Sequence, residues 1–73
     1  MIEDRTTEDL RTIAMAGGGL EIDGSAYSTD DLRAIAMAGS AAACRLIIHN
    51  SKSKTTMELR EIAMAGKGRV IFA

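Results

Sequence analysis

Aromatic residues are almost absent from this chain, which has no tryptophan and contains Tyr27 and Phe72 alone. A core must therefore be built from isoleucine, leucine, methionine and alanine. The 73 residues suffice for one small domain, which buries only about 60% of the surface of its unfolded chain. The single cysteine, Cys44, excludes an internal disulfide framework and is typical of a reducing compartment.

An excess of charge of either sign is also lacking. The chain has 9 basic and 10 acidic residues and a net charge of -1, so we expect neither nucleic acid nor an anionic membrane as a partner. The first residues, MIEDRTTED, are acidic and polar, unlike a signal peptide. No apolar run approaches the ~20 residues of a membrane span. We therefore expect a soluble, cytoplasmic protein.

Residues that usually carry chemistry are few. His49 is the only histidine and has no carboxylate or cysteine partner at a motif spacing, so a polar histidine at a strand end is favoured over a general base. Cys44 lies in an alanine-rich context and is interpreted as a small buried residue. The segments GGG at 17–19 and GKG at 66–68 follow predicted helices and precede predicted strands, the reverse of a phosphate-binding loop. The sequence thus predicts no enzyme, no catalytic or metal-binding residue and no cofactor.

A twelve-residue motif dominates what is present. It begins at Thr6 as TTEDLRTIAMAG, at Ser28 as STDDLRAIAMAG and at Thr55 as TTMELREIAMAG. The near-identity of the copies indicates recent duplication or a deliberately built sequence. We interpret residues 1–73 as a single α/β repeat domain, with repeats at approximately 6–27, 28–54 and 55–73.

Each copy has the features of a capped helix. A hydroxyl residue lies three positions before an acid, which is the capping-box spacing; the pairs are Thr6 and Asp9, Ser28 and Asp31, and Thr55 and Glu58. Because aspartate is shorter than glutamate, the reciprocal bond is expected to be weaker in the first two copies. Leucine, isoleucine, alanine and glycine then follow at i, i+3, i+4 and i+7, on one helix face. The glycines, Gly17, Gly39 and Gly66, are expected to end the helices in the left-handed conformation.

A short run of strand type follows each motif. These runs are Leu20–Asp23, Arg45–His49 and Arg69–Ala73. The order αβαβαβ, with short loops and right-handed crossovers, predicts a three-stranded parallel sheet with all helices on one face. The predicted fold class is therefore α/β, a minimal α/β solenoid that is completed by self-association.

Self-association is predicted because the second and third strands are apolar on both faces, although helices are expected to cover only one. The expected alignment places Glu21 of the first strand opposite Leu46 and Asp23 opposite Ile48. The face of the first strand that corresponds to Leu46 and Ile48 is therefore expected to be polar. The predicted interface uses the sheet face or edge, through Leu46, Ile48, Val70 and Phe72. The expected function is a non-catalytic structural or protein-interaction module.

Two forms of assembly are compatible with the sequence. A two-fold homodimer is preferred because it is the commonest closed symmetry. The alternative is a head-to-tail or strand-exchanged assembly, because reading Ala73 as if followed by Met1 puts Ile71 as far before Thr6 as Ile47 is before Thr55.

A methionine row supplies an alternative function. The helical periodicity places Met15, Met37 and Met64 away from the core stripe, where stacked repeats bring them into one line. They either fill grooves between helices, under the arginine stems, or form a surface that contacts another protein. The second case predicts a small regulator or inhibitor.

A second alternative is an anion- or nucleotide-binding protein. Lys52 and Lys54 precede Thr55 and Thr56 at the start of the third helix, where backbone N–H groups and the helix dipole favour an anion. The loop also follows a predicted parallel strand, which is the usual location of ligands in α/β folds.

Overall fold

The computed structural model describes residues 5–73 and has the predicted alternation of helices and strands. The helices are α1 (Thr7–Met15), α2 (Thr29–Ser40) and α3 (Thr56–Gly66), and the strands are β1 (Leu20–Asp23), β2 (Leu46–His49) and β3 (Val70–Phe72). Short 3-10 turns, Gly24–Ala26 and Ser51–Ser53, lead towards α2 and α3. None of the described helices has the length and apolar character needed to cross a membrane.

The helix starts follow from the repeated hydroxyl residues. Thr6, Ser28 and Thr55 each accept a hydrogen bond from the backbone N–H three residues later, at 3.1–3.2 Å. Glu58 also accepts a bond from the Thr55 backbone N–H at 2.8 Å, so the reciprocal capping box is complete in the third repeat. The glutamate side chain reaches one carbon further than aspartate, which explains this difference.

The helix ends differ from the prediction for two of the three glycines. Gly17 has φ +86° and ends α1 in the left-handed conformation, as expected. Gly39 and Gly66 instead lie inside α2 and α3 as buried helical residues. They are glycines because a Cβ would meet the chain that returns to the sheet: at Gly39 it would lie 2.8 Å from Cys44 Cβ, and at Gly66 it would collide with Val70 Cγ2.

The three strands form a parallel sheet in the order β1-β2-β3, with helices on one face, which confirms the α/β class. Leu20 pairs with Leu46 and Ile22 with Ile48, while Glu21 pairs with Ile47. The expected alignment of Glu21 with Leu46 was therefore wrong by one residue. Because side chains alternate between faces, this slip exchanges the two faces of β1. The true register joins apolar residues to apolar residues on the helix side.

The core lies between the sheet and the helices. Its largest fully buried side chains are Leu10, Ile22, Leu32, Ile35, Ile48 and Ile62. Leu46 and Ile48 are only 2% and 0% exposed, so the prediction that these two residues lie on an uncovered face was wrong. The central strand directs them towards the helices, and its opposite face carries Ile47 and His49.

The two ends of the repeat stack are unlike. Helix α2 packs between α1 and α3, and right-handed crossovers place each helix beside the strands that flank it in sequence. Within residues 5–73, the first element is the helix α1 and the last is the strand β3. As a result β1 lies between two helices, whereas β3 has a helix on one side only among residues 5–73.

Candidate functional site

The end of the stack formed by α3 and β3, called here the open end, exposes apolar residues that the other repeats bury. Leu10 and Leu32 are fully buried, but the equivalent Leu59 of α3 is half-buried. Similar differences separate Ala63 from Ala14 and Ala36, Val70 from Leu20 and Leu46, and Phe72 from Ile22 and Ile48. The residues at these positions are identical in the three repeats or apolar in all of them. The difference in burial therefore comes from the position of the third repeat in the stack, because no helix among the described residues covers this end.

Unlike Leu46 and Ile48, Val70 and Phe72 are partly exposed, and their role in an interface stays a prediction. Both lie on the helix side of β3 and pack partly against the core. Ile71 points to the opposite face and is 45% exposed. Since β3 is an edge strand, its outer backbone groups are also available for pairing with another strand.

Methionine side chains mark the outer helix surface. Met15, Met37 and Met64 are each exposed by about 60% (58–62%). Met37 and Met64 line a shallow groove of about 370 Å³ between α2 and α3, together with Arg33 and Arg60. Arg33 Nε is shielded from solvent without a hydrogen-bond partner in the described chain, while Arg33 Nη1 lies 3.5 Å from Asp30 Oδ1. Part of the Arg33 side chain is therefore packed, whereas Met37 and Met64 stay more than half exposed in the groove.

Sequence reasoning missed Met57, which is 61% exposed. It occupies the position held by Glu8 in α1 and Asp30 in α2, where the acid pairs with an arginine three residues later. The third repeat therefore replaces a charged residue by an apolar one on its outer surface. Comparing the three copies at this position is the signal that would have found it.

The sheet face away from the helices carries a cross-strand pair that sequence spacing did not reveal. His49 Nε2 lies 2.9 Å from Glu21 Oε1, and both side chains are partly exposed. The two residues are 28 positions apart, so the pair is visible only once the strand register is known. An exposed pair of this kind contributes little stability. The contact gives His49 the carboxylate partner that the sequence had not indicated.

The loop predicted to bind an anion uses most of its groups inside the protein. Lys54 Nζ donates to the Tyr27 backbone carbonyl at 2.9 Å. The Thr55 hydroxyl and backbone N–H both bond to Glu58, whose carboxylate thus occupies the α3 N-terminus. Thr56 lies exposed in the first turn of α3. Lys52 is exposed at a shallow depression of about 530 Å³ that is also lined by His49 and Asn50.

The carboxyl ends of β1 and β2 are joined by a small polar network. Asp23 Oδ1 accepts hydrogen bonds from the Ser25 hydroxyl at 2.6 Å, the Ser25 backbone N–H at 2.9 Å and Asn50 Nδ2 at 3.1 Å. The bonds from Ser25 and Asn50 hold the pKa of the Asp23 carboxyl below its ordinary value of 3.8. Asn50 has φ +56°, a conformation that asparagine tolerates well. The network fixes the turns and leaves the carboxylate already satisfied.

Cys44 is buried, as the sequence analysis interpreted it. Its thiol donates to the Gly18 carbonyl at 2.7 Å, which connects the first two repeats. Burial raises the pKa of this thiol above its ordinary value of 9.0, so the reactive thiolate is disfavoured. Across residues 5–73, no cluster of three or more histidine, cysteine or acidic residues is arranged to hold a metal ion.

Comparison with protein-family models, with curated proteins and with solved structures finds no match to this chain.

Proposed function

We propose that this protein is a non-catalytic structural module that associates with itself through the open end. The observation that carries the proposal is the partial exposure of Leu59, Val70 and Phe72, whose equivalents in the first two repeats are buried. Burying a fully exposed side chain of this size is worth roughly 1.5–3 kcal/mol, and a surface that covers the exposed part of each half-buried residue gains a fraction of that.

The character of the open end supports association rather than a solvated cap. Terminal repeats of stacked proteins usually carry a polar outer face, which keeps them soluble. Here Leu59 and Ala63 retain the residue types of the buried copies, and among residues 5–73 β3 is an edge strand that no other strand pairs on its outer side. These features are typical of a surface that packs against another repeat, and the described chain supplies only one side of that contact.

The test is a measurement of absolute mass by light scattering across a dilution series, with helicity followed by circular dichroism. We expect a mass above that of the 7.7 kDa chain at high concentration, which falls on dilution. A well-folded monomer at every concentration would overturn the proposal.

The exposed methionines favour a second candidate, in which the outer helix surface binds another protein. Methionine is a flexible, polarizable residue that suits adaptable binding surfaces, and Met37 and Met64 line one groove. For this candidate, Met37→Glu leaves folding and self-association unchanged but abolishes capture of a partner protein from lysate. Ser40→Glu, on the same helix, is the matched control. Equal capture by both variants would discard the candidate.

We do not propose anion or nucleotide binding. Lys54 is held by the Tyr27 carbonyl and the α3 N-terminus by the Glu58 carboxylate, so Lys52 is the remaining exposed lysine of the predicted site.

A further inference from the structure

We infer that the occupant of the open end is the opposite end of a second copy of this chain, so that α1 and β1 of one copy stack on α3 and β3 of another. The inference rests on the proposed self-association and names the surface that meets the open end. The contacts of α1 with α2 and of α2 with α3 show how one repeat packs on the next.

The internal contacts follow one pattern. Gly39 of α2 lies against Ala14 of α1, with 3.4 Å between an ideal Cβ at the glycine and the alanine Cβ. Gly66 of α3 lies against Ala36 of α2 in the same way, at 3.5 Å. Each helix therefore presents its alanine flank to the following helix, which receives it with the opposite flank.

The first turns show the same direction. Thr29 on the alanine flank of α2 donates a hydrogen bond to Glu58 of α3 at 3.0 Å. Contacts between unlike flanks thus run along the stack in one sense, from the N-terminal to the C-terminal repeat.

Within the described part of the chain, residues 5–73, each end of the stack carries one half of this contact without its counterpart. At the open end, Leu59 and Ala63 form the alanine flank of α3 and are only half-buried. At the other end, Ala16, which directly follows the last residue of α1, is exposed, although its equivalents Ala38 and Ala65 are half-buried. Ile13 is likewise half-buried where the equivalent residues Ile35 and Ile62 are buried. These two halves are those that meet twice inside the molecule.

Among residues 5–73, the outer edges of β1 and β3 pair with no other strand. The Leu20 N–H of β1 donates to the Arg45 carbonyl at 3.0 Å, and the Leu46 N–H of β2 donates to the Arg69 carbonyl at 2.9 Å. The next bond in this series runs from the Val70 N–H of β3 to the Gly19 carbonyl of a second copy. Parallel pairing of β3 with the second copy's β1 therefore continues the sheet in the observed register.

The repeat equivalence ends at the last turn of α1. Gly17 is left-handed, whereas Gly39 and Gly66 are helical. The stacking contact is therefore expected along α1 as far as Ala16 and not at Gly17.

A two-fold dimer would instead join two alanine flanks, or two β3 edges, to each other. The α1–α2 and α2–α3 contacts of the described repeats both join an alanine flank to a glycine-bearing flank. Unlike ends produce head-to-tail assembly, which closes into a ring or continues as a filament.

The experiment blocks each end separately. Ala63→Arg places a long charged side chain on the alanine flank of α3, and Ala16→Arg does the same on the outer flank of α1. Ala63 lies in α3, where arginine is a good helix former, and Ala16 is exposed just beyond the last residue of α1. Circular dichroism should therefore show unchanged helicity in each variant.

Stacking of unlike ends predicts that each variant alone is monomeric and that an equimolar mixture forms a dimer of twice the monomer mass. The dimer forms because each variant retains the end that the other has lost. A mixture that stays monomeric would overturn the inference.

The result also separates this inference from the proposed function. If the unmodified protein associates but Ala16→Arg associates equally well, a contact between like ends is indicated and only the stacking inference fails. If the unmodified protein is monomeric at all concentrations, both fail.

Discussion

At the scale of single residues, Gly39 and Gly66 allow each helix to lie close to the chain that follows it. Both are buried inside helices, where glycine normally costs about 0.5–1 kcal/mol relative to alanine. Close packing compensates for this cost. A Cβ at either position would approach the next strand, or the loop that leads to it, too closely.

Gly39→Ala should therefore destabilise the protein, by about 1–3 kcal/mol for overpacking, although the same change in an exposed helix would stabilise it. The cause is the 2.8 Å distance between the new Cβ and Cys44 Cβ. Urea unfolding followed by circular dichroism measures the effect. Gly18→Ala is the control, since its Cβ would meet Ile13 Cγ2 at 3.3 Å, where a side chain can yield. An equal or higher stability of the Gly39 variant would contradict the packing explanation.

Two carboxylates make stability depend on pH in the acid range. The Thr55 backbone N–H and the Thr29 hydroxyl lower the pKa of Glu58 below 4.5, and Ser25 and Asn50 lower that of Asp23 below 3.8. Between the folded and unfolded pKa values the unfolded chain binds more protons, so stability falls as pH falls. The contribution is fully present above the ordinary values and is lost as pH drops through the lowered ones.

The variant Asp23→Asn/Glu58→Gln should therefore lose less stability than the unmodified protein between about pH 7 and about pH 3. Glutamine is retained at position 58 because it also suits the capping box. Urea midpoints at the two pH values test the prediction. Parallel losses in the two proteins would show that these carboxyl groups do not carry the acid sensitivity.

At the scale of helices and strands, a leucine occupies the same position in all three repeats but differs in burial. Leu10 and Leu32 are fully buried and Leu59 is half-buried. The residue type and the local helix are shared, so any difference in the effect of substitution reports on the covering elements.

Leu32→Ala should lower the free energy of unfolding by about 2–5 kcal/mol, and Leu10→Ala should have a similar effect. Leu59→Ala should cost clearly less in dilute protein, because part of the side chain is already in contact with water. Chemical denaturation of the three variants at one low concentration provides the comparison. A loss at Leu59 as large as that at Leu32 would mean that the open end is covered even in the monomer.

Much at this scale could be predicted from the sequence. The cap residue and the i, i+3, i+4 pattern locate all three helices, and Leu20–Asp23 was predicted with its observed bounds. The register was not predictable by counting, because the loops before β1 and β2 differ in length: residues 16–19 in one case and residues 41–45 in the other. Matching Leu20 and Ile22 to the apolar residues of β2 would have given the observed alignment.

The candidate site was harder to predict for a physical reason. Leu59 and Leu32 are identical in type and local context, and their burial differs only because another helix follows α2. Such a difference belongs to the position of a repeat in the stack. The Glu21–His49 and Lys54–Tyr27 contacts likewise join residues that only the folded arrangement brings together.

At the scale of the whole molecule, the described helices and strands alternate along the chain, and no two-fold axis relates one end of the stack to the other. The stack begins with α1 outside β1 and terminates with β3 outside α3. Its two ends are therefore chemically different surfaces, and each internal contact joins an alanine flank to the glycine-bearing flank of the next helix.

This regularity has a thermodynamic consequence for chain length. An additional helix–strand unit inserted between α2 and α3 adds one more nearest-neighbour contact and leaves both terminal surfaces unchanged. In a series of such lengthened chains, the free energy of unfolding becomes a linear function of unit number. The slope is the sum of the intrinsic folding term of one unit and its coupling to a neighbour, and the intercept contains the coupling that the ends lack. The cooperativity of a small protein can thus be divided into a cost for each unit and a gain for each junction.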